Sequence, residues 1–269
     1  MSFRDLFKTQ KDRLIAITDG VYAIAMTILV LEIAIPTASE ITTVAQMDQF
    51  IMSYLIPAIV MYLISFYLVA TFWENSILIF DFEEIDNKVQ NLTLLALSFV
   101  CLIPFATGFL FEFWHFKEAN IIFSSIILIV SVIYFIMFAV AFKNELRAIL
   151  NKYDWSLSNL REKIKELSKL HRHQKKNNEE PKYPNFKDQF LKTVRVLFYL
   201  IISPIITSII SLILAFFSPY LSILSFILVL LLRTIIRFTN KASLDVDNID
   251  YDELTEEEQK MYKLISNLE

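Results

Sequence analysis

Two carboxylates interrupt the first long apolar run of the sequence. They are Asp19 and Glu32, within Arg13-Leu-Ile-Ala-Ile-Thr-Asp19-Gly-Val-Tyr-Ala-Ile24-Ala-Met-Thr27-Ile28-Leu-Val-Leu31-Glu32. A charge at membrane depth is costly unless it faces protein or water, so each acid asks for a role. Asp19, about one turn inside the run, reads either as a functional group or as a hydrogen-bond acceptor that fixes a helix contact. Glu32, at the other end, reads either as an acid that gathers cations near a mouth or as a hydrated helix end. Ile24, Thr27, Ile28, Leu31 and, just past Glu32, Ile35 share one face at 3.6 residues per turn. That face is apolar with a single hydroxyl, and periodicity alone fits a buried packing stripe. Elsewhere, His171-x-His173 lies in a basic polar link without nearby acids or cysteine, a poor metal site. No Ser/His/Asp or Cys/His constellation and no phosphate-binding loop is visible, so neither an enzyme nor a bound cofactor or metal is expected. Cys101 is the one cysteine, which rules out an intrachain disulfide and a CxxC motif.

These residues need elements to hold them. Of the 269 residues 55% are hydrophobic, above the roughly 45–50% of soluble domains, and the excess is gathered into long runs. A helical span needs about 20 apolar residues. Six stretches qualify: 13–35, 50–72, 90–111, 120–142, 196–217 and 219–239. The backbone must satisfy its own hydrogen bonds in lipid, so the expected fold is all-α, a bundle of six transmembrane helices. The first run, broken by its acids, reads as a retained helix rather than a cleaved signal peptide. Pro57 and Pro104 predict kinks, and Ser218-Pro219 turns the last two spans into a tight hairpin.

Charge orients the bundle. One side holds Arg4, Lys8, Lys11 and Arg13, then Lys88, fourteen basic residues in 143–195, and Arg233, Arg237, Lys241, Lys260 and Lys263. The other side holds Lys117. The positive-inside rule therefore places both termini in the cytoplasm, and the sign survives when the long link is left out. The organisation is four spans in 1–142, a basic cytoplasmic insertion over 143–195, a helical hairpin over 196–239 and an acidic cytoplasmic tail over 240–269. Within the insertion, Ser156 to His173 reads as an amphipathic helix, lying against the bundle or pairing with another subunit. Its basic 161–176 stretch fits a solvated face or contact with anionic headgroups. Thr255 and Glu258 suggest a capping box in the tail. Asn91-Leu-Thr93 is a glycosylation sequon that falls on the cytoplasmic side, where it is expected to stay unused.

The first helix resembles a known family. Arg13-x-x-x-Ile17-Thr18-Asp19 is similar to the Arg-x-x-x-Phe-Ser-Asp motif of the lysosomal potassium channel family (transmembrane protein 175 type) and its prokaryotic single-repeat members. Arg and Asp match, Thr keeps the hydroxyl of Ser, and Ile replaces Phe. Trp73 ends the second span as the family's Trp does, whereas Ser76 stands where the family has His. Asp86, Asn91 and Pro104-Phe105-x-Thr107 look like its third-helix pattern, so the likeness covers residues 10–110.

The resemblance implies a potassium-selective cation channel with K⁺ as the permeant ion. It implies a homotetramer in a lipid bilayer, in a prokaryotic plasma membrane, with no nucleic-acid partner. The first helices would line the pore, with Ile24, Ile28 and Leu31 as the constriction and Thr27 as the selectivity layer. Arg13, Thr18 and Asp19 would serve helix packing, and Glu32 could form an outer acidic ring. Branched aliphatic side chains close such a path by dewetting, and an ion must shed water to pass. K⁺ holds its water less tightly than Na⁺. No TVGYG string and no repeated arginine ladder occurs, so conduction would rest on side chains without a voltage sensor of the S4 kind. Two other readings stay open: a secondary transporter, which favours broken helices and midplane polar groups, and a structural subunit that conducts nothing.

Overall fold

The computed structural model describes residues 3–37, 39–82, 85–152 and 186–241. Every regular element among them is helical: α1 (Phe3–Leu31), α2 (Val44–Phe50), a π turn (Ile51–Leu55), α3 (Ile56–Phe80), α4 (Asn87–Val100), α5 (Leu102–Phe113), α6 (Lys117–Lys152), α7 (Phe186–Ala215) and α8 (Pro219–Lys241). They make six membrane segments, because α2, the π turn and α3 run on as Val44–Phe80, and α4 with α5 as Asn87–Phe113. Those two, Lys11–Leu31 and Lys117–Ala148 are long and apolar enough to cross a membrane, and Tyr199–Ala215 and Pro219–Ile235 are shorter apolar stretches. The chain is a multi-pass membrane protein. The amphipathic stretch 156–173, the histidine pair and the tail's capping box lie outside the described residues.

Local chemistry sets the ends. Helix α1 stops at Leu31, and Pro36 further on disfavours the helical region at Ile35. The exit segment is then tied down by the Ala34 N–H, which donates to the Tyr54 hydroxyl at 3.1 Å. Thr43 opens α2 with a capping box: its hydroxyl accepts from the Gln46 N–H, and the Gln46 side chain accepts from the Thr43 N–H. Pro57 has no N–H for the carbonyl one turn back. Just ahead of it the ladder widens, and the Ile56 N–H reaches the Ile51 carbonyl, five residues away. Asp86 caps α4, accepting from the Lys88 and Val89 N–H groups at 3.1 and 2.9 Å. Pro104 breaks the next span at Cys101, between α4 and α5.

Helix α6 is the centre of the bundle and packs against α3, α4, α5, α7 and α8. It buries Phe123, Ile127, Val130, Tyr134 and Met137. Lipid tails are as apolar as these side chains, so close packing and interhelical hydrogen bonds must hold the helices together. Several such links are buried. Thr107 of α5 donates to Ser65 of α3 at 3.0 Å. Ser211 of α7 bonds Ser124 of α6 at 2.7 Å and Ser222 of α8 at 2.8 Å. The hydroxyls of Tyr22 on α1 and Tyr134 on α6 meet directly.

Candidate functional site

Helix α1 has two faces with different fates. Leu14, Thr18, Tyr22, Ala25 and Leu29 point into the subunit and are buried. Ile17, Ile24, Ile28, Leu31 and Ile35 point away from it. Ile24 is 60% exposed, Ile28 38% and Leu31 77%, so the chain offers these side chains no full cover of its own. Thr27 shares that free face. Its hydroxyl donates to the Ile24 carbonyl at 2.8 Å. With the proton engaged along its own helix, the oxygen keeps lone pairs for an outside donor or cation.

The polar residues at the N-terminal end of the span divide the same way. Thr18 is fully buried, and its hydroxyl donates to the Leu14 carbonyl at 2.7 Å. Asp19 accepts from the Trp73 indole N–H at 2.9 Å, a charge-assisted bond joining α1 to α3. Arg13 is exposed, and no hydrogen bond or ion pair from it is found among the described residues. The motif thus splits into an inward hydroxyl, a carboxylate bonded to α3 and an exposed guanidinium.

Glu32 ends up in a place its sequence position does not indicate. A Cβ added at Gly108 of α5 would collide with its Oε2 and lie 2.9 Å from its Cδ. The glycine is therefore the floor on which the glutamate side chain rests, half-buried against its own subunit. The sequence has only two glycines, and this one is used for a close approach.

One polar cluster was not read from the sequence. Arg233 of α8 is fully buried and donates to the Leu200 carbonyl of α7. It also donates to the Asn75 Oδ1 at 3.3 Å and pairs with the Glu74 Oε2 at 3.5 Å. An arginine inside an apolar run is the available signal, because such a charge in lipid demands a partner. Its partners, Glu74 and Asn75, directly follow Trp73. No group of three or more His, Cys, Asp or Glu suited to a metal is found among the described residues.

Residues 13–104 match the family model described as "Endosomal/lysosomal potassium channel TMEM175". These residues carry the TMEM175 signature. The resemblance read from the motif at Arg13 to Asp19 is thereby borne out. A potassium channel of Chamaesiphon minutus is 29% identical over 131 residues, 47% of this chain and 64% of that protein. A potassium channel of Streptomyces collinus is 30% identical over 114 residues, 41% of this chain and 52% of that protein. The chain thus spans between half and two thirds of the length of these curated relatives. A crystal structure of a lysosomal potassium-selective channel TMEM175 homolog from Chamaesiphon minutus superposes with a TM-score of 0.59 at 20% identity, over 85% of this chain and 98% of that one. That likeness carries the all-helical fold beyond the TMEM175 segment into the last two helices.

Proposed function

We propose that the chain is a subunit of a potassium-selective cation channel, with one α1 from each of four identical copies lining the path. The carrying observation is the free apolar face of α1: Ile24, Ile28 and Leu31 are exposed while the opposite face is packed into the bundle. Four such faces around an axis give rings of branched side chains that hold the path nearly dry, and an ion crosses by shedding water. The Thr27 hydroxyls replace part of the lost shell between the Ile24 and Ile28 rings. Because K⁺ gives up water more cheaply than Na⁺, the constriction favours K⁺ without a carbonyl filter. The Asp19–Trp73 bond fixes the inner end of α1 against α3. The arrangement needs no cofactor and performs no bond-making chemistry. Its partners are further copies of itself, potassium ions and lipid.

The charge distribution supports cytoplasmic termini, and the prokaryotic relatives support a plasma-membrane setting. With the α1 N-terminus inside, Glu32 lies at the outer end of the path. Its rest on Gly108 leaves an outer acidic ring only the part of the carboxylate turned to water.

The test is a planar-bilayer recording of the purified full chain under bi-ionic K⁺/Na⁺ conditions. Discrete currents with a reversal potential favouring K⁺ are expected. Ile24→Asn wets and widens the constriction, raising unitary conductance and lowering K⁺ preference. Saturable coupled uptake without unitary currents sinks the proposal, as does an Ile24→Asn variant that conducts like its parent.

A further inference from the structure

Three consecutive residues of α3 bond to two other helices. Trp73 donates to Asp19 of α1 at 2.9 Å. Glu74 and Asn75 hold Arg233 of α8. Ser76 donates to the Trp73 carbonyl at 2.6 Å, within the same turn. Successive helical residues are 100° apart, so a single turn of α3 points to several directions at one depth. Arg233 extends the network further, to the Leu200 carbonyl and, at 3.5 Å, the Ser203 hydroxyl of α7. The α7–α8 hairpin and the free-faced helix α1 therefore grip the same turn of α3.

A buried ion pair is weak evidence for stability, since apolar side chains of similar volume often do as well or better. Polar groups beside this one go unmet. The Asn75 amide nitrogen and the Thr71 hydroxyl, one turn earlier on α3, are buried without a hydrogen-bond partner. Such a pair is better suited to fixing register, because a carboxylate and a guanidinium in low dielectric meet in few geometries.

We propose that Arg233 is a positioning residue for the pore: by clamping Glu74 and Asn75 it sets the rotation and depth of the Trp73 turn, and through Asp19 those of α1. The hairpin, remote from the path, thereby controls how Ile24, Ile28 and Leu31 present themselves. This rests on the channel reading, so its test separates the two.

The full chain is prepared with Cys101→Ser and Ile24→Cys and placed in liposomes, and a charged water-soluble thiol reagent reports access to position 24. Glu74→Gln and Arg233→Gln are each expected to change the modification rate about threefold or more, the scale of a typical coupling. Together they change it no further than the larger single effect, because both act through one link. Arg233→Lys, which keeps the charge, returns the rate toward the parent. A control cysteine at Val44, exposed at the start of α2, keeps its rate in every variant. Parental rates at position 24 in both single variants, additive effects, or an equal change at Val44→Cys overturn the positioning role while the channel reading stands. A parent that neither conducts K⁺ nor reacts at position 24 overturns both. If Arg233→Gln does not elute as the parental oligomer, Glu74→Gln and Arg233→Lys decide alone.

Discussion

At the scale of single residues, the structure repeatedly uses pairs whose members only make sense together. The Tyr22 and Tyr134 hydroxyls are mutual partners in a buried setting. Tyr134→Phe leaves the Tyr22 hydroxyl unpaired and is expected to cost about 1–3 kcal/mol. The double variant Tyr22→Phe with Tyr134→Phe removes both polar atoms and is expected to lose less than Tyr134→Phe alone. Thermal unfolding of detergent-solubilised protein checks the order. Gly108 and Glu32 form a second such pair. Alanine in a helix is favoured over glycine by about 0.5–1 kcal/mol, yet its Cβ at position 108 would meet the Glu32 carboxylate. Gly108→Ala in the native background should therefore gain nothing and displace the glutamate. In a Glu32→Ala background the same change should stabilise by about the full helical preference. Equal effects of Gly108→Ala in the two backgrounds would show that the contact does not constrain the glycine.

At the scale of elements, helix boundaries follow from caps and prolines, and these are also what the sequence makes most legible. The α4 N-terminus rests on the Asp86 carboxylate, whose Oδ1 satisfies two backbone donors. Asp86→Ala is expected to cost about 1 kcal/mol and Asp86→Asn much less, since asparagine caps comparably. Amide hydrogen exchange over residues 87–91 should speed up in the alanine variant alone. Long apolar runs gave away the spans because lipid forces length and composition on a helix. The contacts were less legible, because they depend on which helix lies beside which. Nothing in the spacing of Glu32 and Gly108 couples them across 76 positions, and Arg233 read as one more basic residue near a cytoplasmic end. Its place inside the run Leu-Val-Leu-Leu-Leu-Arg-Thr-Ile-Ile was the available clue, and it points to a buried partner without naming Glu74. The π turn ahead of Pro57 was legible only as a kink, since a missing N–H can be met by bending or by widening the ladder.

At the scale of the whole molecule, the unanswered demand is the free face of α1. A single helix cannot enclose a path, and an apolar face that leaves its own subunit must meet either lipid or another copy. Hydrophobicity does not distinguish these, because Ile24, Ile28 and Leu31 suit hydrocarbon as well as a dewetted pore. Thr27 weighs toward the pore: its oxygen keeps lone pairs on that face, where lipid supplies neither a donor nor a cation. The two environments differ in what lies across from position 31. Around a four-fold axis, equivalent side chains approach one another, so Leu31→Cys in a Cys101→Ser background should yield covalent dimers with a short bifunctional thiol reagent in liposomes. Cys101 has to be removed because it is itself exposed. Val44→Cys, equally open in the single chain, should stay monomeric under the same conditions, which guards against random collision. Linked dimers at position 31 that vanish when the protein is diluted into excess detergent before the reagent is added would bring the free faces of separate copies together. Monomers throughout would turn α1 outward to the lipid and leave the subunit without a path to line.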